Sequence, residues 1–148
     1  MPLNPQFVGK TYPDTPAYLI GREKVREFAT AIGDFSPVFH DLAAAQELGY
    51  RDLPAPPTFA FAITMKALAN AMFDPELGLD YSRVVHGSQG FEYHEPMQAG
   101  DEVVVKSRIT DITTRGSNEF LTTEADVVTA DGDVLVTCRN TIVSRGTA

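Results

Sequence analysis

Residues 54–73 read "PAPPTFAFAITMKALANAMF", and the way this stretch folds decides the rest. Proline has no N–H to give a helix interior, so a helix here has to begin after Pro54, Pro56 and Pro57. Thr58 is a suitable N-cap residue. From there to Phe73 the sequence is apolar around most of a helical circumference, with Lys66 as its charged residue. A helix of that kind is surrounded by protein. It is short for a bilayer crossing, so the expectation is a buried core helix and no membrane partner.

The flanking sequence says what surrounds it. Downstream come "RVVHGSQGFEYHEP" (83–96), "DEVVVKSRITDIT" (101–113), "EFLTTEADVVTA" (119–130) and "DVLVTCRNTIVS" (133–144). These runs are rich in β-branched residues, partly alternate, and are separated by "AGD", "RGSN" and "DGD", the last a strong hairpin signal. Four strands in hairpin order predict an antiparallel meander, which "AYLIG" (17–21) joins as a shorter strand. Upstream, Val25, Phe28, Ala29 and Ile32 fall on one face of an amphipathic helix that Gly33 stops. A second short helix follows over 41–49, from an Asp41 cap to Gly49. An antiparallel sheet and one wholly apolar helix have an economical arrangement, the sheet curled around the helix. The expected class is α+β, a hot-dog domain spanning residues 1–148. Exposed sheet edges also predict pairing with another copy, at least a dimer.

Composition narrows the partners. The chain has 148 residues, 43% hydrophobic and 22% charged, with a net charge of −8. That charge argues against a nucleic-acid surface. In "GREKVREF" the basic residues alternate with Glu23 and Glu27, the pattern of a solvated, ion-paired helix face. The single cysteine, Cys138, fits a reducing cytoplasm, as does an N-terminus without a secretory pattern. No Cys/His cluster has metal-site spacing, so no metal is expected.

Chemistry concentrates in "GDFSPVFHD" (33–41), which holds Asp34, Ser36, Pro37, His40 and Asp41. Asp34 and His40 are candidates for an acid/base pair, and His40 has the unperturbed pKa for proton shuttling near neutrality. The alternative is a turn in which Asp and Ser side chains bond the backbone ahead of them. His86 stands beside Gly87, where a missing side chain lets backbone approach a ligand closely. A ligand role for His86 is set against that of a hydrogen-bonded core histidine. Phe59 and Met65 are either core residues or the lining of a ligand tunnel along the long helix.

The runs "GDFSPVFHDLAAAQELGYRDLPAPPTF" and "VVHGSQGFEYHEPMQAGDEV" resemble the MaoC-type, or R-specific, enoyl hydratase/dehydratase family. Within it the chain is most similar to the small actinobacterial branch that includes HadA-type subunits. The resemblance implies a (3R)-hydroxyacyl-thioester dehydratase or enoyl hydratase of fatty-acid metabolism. Its substrate is an acyl chain on coenzyme A or acyl carrier protein, and no further cofactor is implied. It implies catalytic roles for Asp34 and His40 and substrate-binding roles for Ser36, Thr58, Phe59, Met65, His86 and Gly87. Two positions depart from the family signature of Asp, any residue, Asn, Pro, any residue, His. Ser36 replaces the Asn, and Phe39 fills the His position, with His40 one residue late. The family's Ala-His-Gly, whose glycine N–H holds the thioester oxygen, aligns with Ala55, Pro56 and Pro57. Proline has no such donor, which leaves the N–H groups of Thr58 and Phe59 for the task. Hot-dog thioesterases often carry a carboxylate on the central helix, and residues 58–73 have none. The alternative to a self-sufficient enzyme is a non-catalytic acyl-binding subunit in a heterodimer with a second hot-dog chain.

Overall fold

The computed structural model describes residues 2–146. Its centre is the helix α3, Phe59–Met72, packed against the concave face of a five-stranded antiparallel sheet. The strands are β1 (Tyr18–Leu19), β2 (Val84–Tyr93), β3 (Glu102–Arg115), β4 (Asn118–Thr129) and β5 (Val134–Ser144), in the order β1-β3-β4-β5-β2. Two shorter helices, α1 (Arg22–Ala31) and α2 (Leu42–Glu47), precede α3. The sheet curls around α3 as the sequence predicts. Register shifts at His86/Ser88, Ile109/Asp111 and Val127/Val128 bend the strands where a flat ladder would miss the helix.

One connection differs from the expected meander. β3, β4 and β5 follow one another as hairpins, but β2 pairs with β5 and not with β3. The reason lies in the segment between β2 and β3. Met97 and Ala99 are buried there, and their backbone bonds go to the loop before α3: Ala55 N–H donates to Met97 O at 2.7 Å and Ala99 N–H to Leu53 O at 2.8 Å. That segment therefore crosses the end of the sheet and cannot form a tight turn.

Local signals act as read at most ends. Gly33, at φ 76°, turns the chain out of α1, and Asp41 caps α2 by accepting from the Ala43 N–H at 3.1 Å. Thr58 is different, because it has near-helical backbone angles and its side chain makes no capping bond. α3 is also wrapped on one side only. Phe59, Ala60, Thr64, Ala67 and Ala71 are buried, while Met65, Lys66 and Asn70 are exposed. One curled sheet covers half a helix, so the rest of its circumference is left open.

The interior divides in two. Around the N-terminal part and middle of α3, Phe59 and Ala67 pack with Val25, Val105, Val127 and Val136. Around its C-terminal end, Ala71 packs with Leu3, Leu77, Ile109, Leu121 and Ile142. Between these clusters the buried positions of three adjacent strands are polar: Ser107 on β3, Thr123 on β4 and Asn140 on β5.

Candidate functional site

The segment "GDFSPVFHD" folds into a loop closed by its own hydrogen bonds. Asp34 Oδ1 accepts from the Ser36 N–H at 3.0 Å, an Asx turn of the kind its sequence favours. Pro37–Phe39 then form one turn of 3-10 helix, and both His40 and Asp41 donate their N–H to Pro37 O. The His40 ring turns back over the loop, and its Nε2–H donates to the main-chain carbonyl of Asp34 at 2.9 Å. It also stacks on Phe35, with ring centroids 6.4 Å apart, while Arg26 Nε donates to His40 O. Asp34 and His40 thus meet through a peptide carbonyl. One carboxylate oxygen of Asp34 and one ring nitrogen of His40 hold the loop.

Beside this loop lies a cavity of about 380 Å³, where it faces the chain entering α3 and the end of β2. Phe39, Tyr50, Ala55, Pro57, Tyr93 and His94 are among its walls. The motif loop contributes Val38 and Phe39 to that lining, and not Asp34 or His40. The Tyr93 hydroxyl donates to Pro57 O, which ties the end of β2 to the proline entrance of α3. Burial pushes this phenol up to about 12, so it stays a proton-bearing donor at any ordinary pH. At the entrance itself, the Phe59 N–H already donates to Pro56 O at 2.8 Å and the Phe61 N–H to Thr58 O at 3.1 Å. The Phe59 N–H is therefore not free for a thioester oxygen. Thr58 is exposed at this end of the helix.

The remaining residues singled out in the sequence lie apart from the loop. Phe59 is fully buried, edge-on to Phe28 with centroids 5.3 Å apart. Met65 is half exposed on another side of α3, so the two do not line one tunnel. His86 is exposed on β2, stacked on Phe61 at 5.3 Å. Its Nε2 lies 2.9 Å from Asn140 Nδ2 and 3.1 Å from Ser88 O. Gly87 sits at the β2 irregularity, where an added Cβ would meet Thr141 O and Val143 Cγ2 at 3.1 Å. What approaches Gly87 closely is the neighbouring strand.

Sequence reading missed a second group of residues, the polar row between the two clusters. Asn140 Nδ2 donates to Gln89 Oε1 at 2.7 Å, which extends the row to β2. Three of its buried polar atoms have no partner among the described residues: Ser107 Oγ, Asn140 Oδ1 and Gln89 Nε2. Each such atom costs about 1–3 kcal/mol. The signal was present in the strand alternation, because Ser107, Thr123 and Asn140 occupy the same phase as Val105, Leu121 and Ile142. Facing the row across a narrow space are Thr64, whose hydroxyl donates to Ala60 O, and Phe61, Met65 and Leu68 of α3. Burial raises the neighbouring Cys138 thiol to about 11, which disfavours the thiolate near neutral pH.

No cluster of metal-ligating side chains occurs among the described residues. None of their helices is long and apolar enough to cross a membrane.

Residues 6–138 match the model of the FAS1-like dehydratase domain region. A UPF0336 protein of Saccharopolyspora erythraea is 52% identical over 148 residues, covering 100% of this chain and 95% of that one. Among solved structures, a MaoC-like dehydratase superposes with a TM-score of 0.88 at 32% identity, covering 95% of this chain but 43% of the other. The truncated HadBC complex of Mycobacterium tuberculosis, a (3R)-hydroxyacyl-ACP dehydratase, superposes at 0.83 with 27% identity, covering 93% and 96%. With residues 6–138 of its 148 inside the domain model and the curled sheet shared with these structures, the chain belongs to the FAS1-like, MaoC-type hot-dog dehydratase family.

Proposed function

We propose that this chain is the acyl-binding member of a two-subunit (3R)-hydroxyacyl-thioester dehydratase of fatty-acid metabolism. A second hot-dog subunit supplies the acid and the base. Dehydration removes a proton α to the thioester and gives one to the leaving β-hydroxyl, while donors hold the developing charge on the thioester oxygen. The reaction is redox-neutral and needs no electron carrier, so the thioester, on coenzyme A or acyl carrier protein, is the only small-molecule partner required. The cytoplasm is the natural setting for such a carrier-borne substrate.

The observation that carries this reading is the closed motif loop. His40 gives its Nε2–H to the Asp34 carbonyl, one carboxylate oxygen of Asp34 holds the Ser36 N–H, and Phe39 occupies the cavity wall. Neither Asp34 nor His40 is among the walls of the cavity beside the loop. Two further facts support a paired arrangement. HadBC, to which this chain is similar over nearly its full length, is a complex, and the MaoC-like dehydratase chain has more than half its length outside the match.

The test is hydration of a trans-2-enoyl thioester by the chain alone and by the chain co-expressed with a hot-dog subunit that carries the complete Asp-to-His spacing. The co-expressed pair should purify as one complex and be at least about 100-fold faster than the chain alone. Asp34→Asn and His40→Ala in this chain should leave the complex within a few-fold of its full rate. Robust hydration by the isolated chain, abolished by His40→Ala, would overturn the proposal.

A further inference from the structure

We propose that the polar row between α3 and the sheet binds an acyl chain bearing a hydroxyl or carbonyl group along its length, and selects it over a plain hydrocarbon chain. This rests on the acyl-binding role above and adds the class of acyl group.

The row is continuous across the sheet. Gln89, Asn140 and Thr123 lie side by side on β2, β5 and β4, in register Gln89↔Asn140 and Asn140↔Thr123. Ser107 follows on β3, paired with Ala125 next along β4. Strands about 4.8 Å apart make this a polar track about 15 Å long, beginning at the β2 edge. It divides two apolar clusters, where apolar side chains at the same positions would have joined them. Its unpartnered atoms are a donor, Gln89 Nε2, an acceptor, Asn140 Oδ1, and a hydroxyl, Ser107 Oγ. Asn140 and Ser107 are each 7% exposed, so bulk water does not serve them. The enclosed space is about 10 Å³, room for a single water molecule and too little to satisfy atoms at both ends of the track.

The opposite wall identifies the occupant. Phe61, Met65 and Leu68 present apolar surface from α3, so a ligand here needs a hydrocarbon body against the helix and oxygen towards the sheet. Arg108 also borders the space, but its guanidinium is held by Glu124 and Asp126, so an anionic group finds no free cation there. The space is covered from α3 by Met65, which is 46% exposed and gives it an outlet on the open side of the helix. An unbranched thioether can swing aside and widen the space. A plain alkyl chain entering this way would displace water and leave the polar atoms unpaired. An oxygenated chain replaces that water with its own hydrogen bonds.

The experiment is calorimetric titration of the full chain, free and in its complex, with dodecanoyl-CoA and its mid-chain hydroxy and oxo analogues. The oxygenated thioesters should bind about tenfold or more tightly. Ser107→Ala and Asn140→Leu should each bring the ratio close to one, with folding checked by circular dichroism. If Asn140→Leu fails to fold, Gln89→Leu on the edge strand takes its place. Equal or tighter binding of dodecanoyl-CoA by the unaltered protein would overturn the selectivity while leaving acyl binding intact. Failure of all three thioesters to bind would sink the acyl-binding role itself, and this inference with it.

Discussion

Asp34 holds its loop with two different groups. Its Oδ1 holds the Ser36 N–H, and its carbonyl holds the His40 ring. Replacing Asp34 by Ala should cost about 0.5–1.5 kcal/mol in denaturant titration, because one part-buried hydrogen bond is lost. Asp34→Asn keeps an acceptor oxygen and should cost less. Three carboxylates in other parts of the molecule have their acidity shifted by cationic partners. Lys10 holds Asp74 below the usual carboxylate range, Arg22 does the same for Asp52, and Arg139 with Arg108 does so for Glu124. A carboxyl depressed in the folded state contributes stability above its unfolded pKa, about 4. That contribution is lost as pH falls through the lower folded value. Thermal melts should therefore be flat from pH 7 to about 5 and decline below about 4. The Arg and Lys partners are substantially exposed, so raised salt should shrink part of the effect.

At the scale of elements, α3 and the three-strand hairpin series carry the fold. Leu121 on β4 is fully buried beneath the C-terminal end of α3, in contact with the cluster of Ile109, Ile142 and Leu77. Leu121→Ala should destabilise the protein by about 2–5 kcal/mol, read from urea unfolding. β2 is more tolerant along most of its exposed length, with Gly87 the exception. A Cβ there meets a backbone oxygen and a side chain of β5 at 3.1 Å. Gly87→Val should loosen the β2–β5 pairing by about 1–3 kcal/mol and speed amide exchange in β2 before β4. These strands were legible because "DGD" and "RGSN" are turn sequences and the runs between them alternate. The place of β2 was not, since two apolar runs separated by "HEPMQAGD" carry no sign of which edge the first one joins.

For the whole molecule, β2 is a free edge of the sheet, and large apolar side chains of its own and of the segments before it stay uncovered. Phe73, Tyr81 and Val85 are each at least 40% exposed, and the ring centroids of Phe73 and Tyr81 lie 5.3 Å apart. Exposed surface of this kind beside an unpaired strand edge marks an association site. Light scattering should find the chain paired, with itself or with its hot-dog partner. Val85→Lys with Phe73→Lys should release monomer without lowering helix content. A monomeric unaltered protein, tested with and without the partner subunit, would contradict this.

The sequence by itself determined the elements and their class. Its apolar central run had to be covered, and alternating strands with strong turn signals had to make the antiparallel sheet that covers one side of it. Both follow from local periodicity and from the cost of leaving apolar surface in water. The motif loop was legible as a turn for the same reason, since an Asx turn spans three residues. Only the tertiary structure decided which edge β2 occupies, which way the His40 ring points, and that Phe59 and Met65 face different spaces. It also brought Ser107, Thr123, Asn140 and Gln89 together from four strands. Their adjacency depends on strand order and register between residues up to 51 apart, as for Gln89 and Asn140. Periodicity along one strand fixes the face a residue takes, and pairing between strands fixes its neighbours.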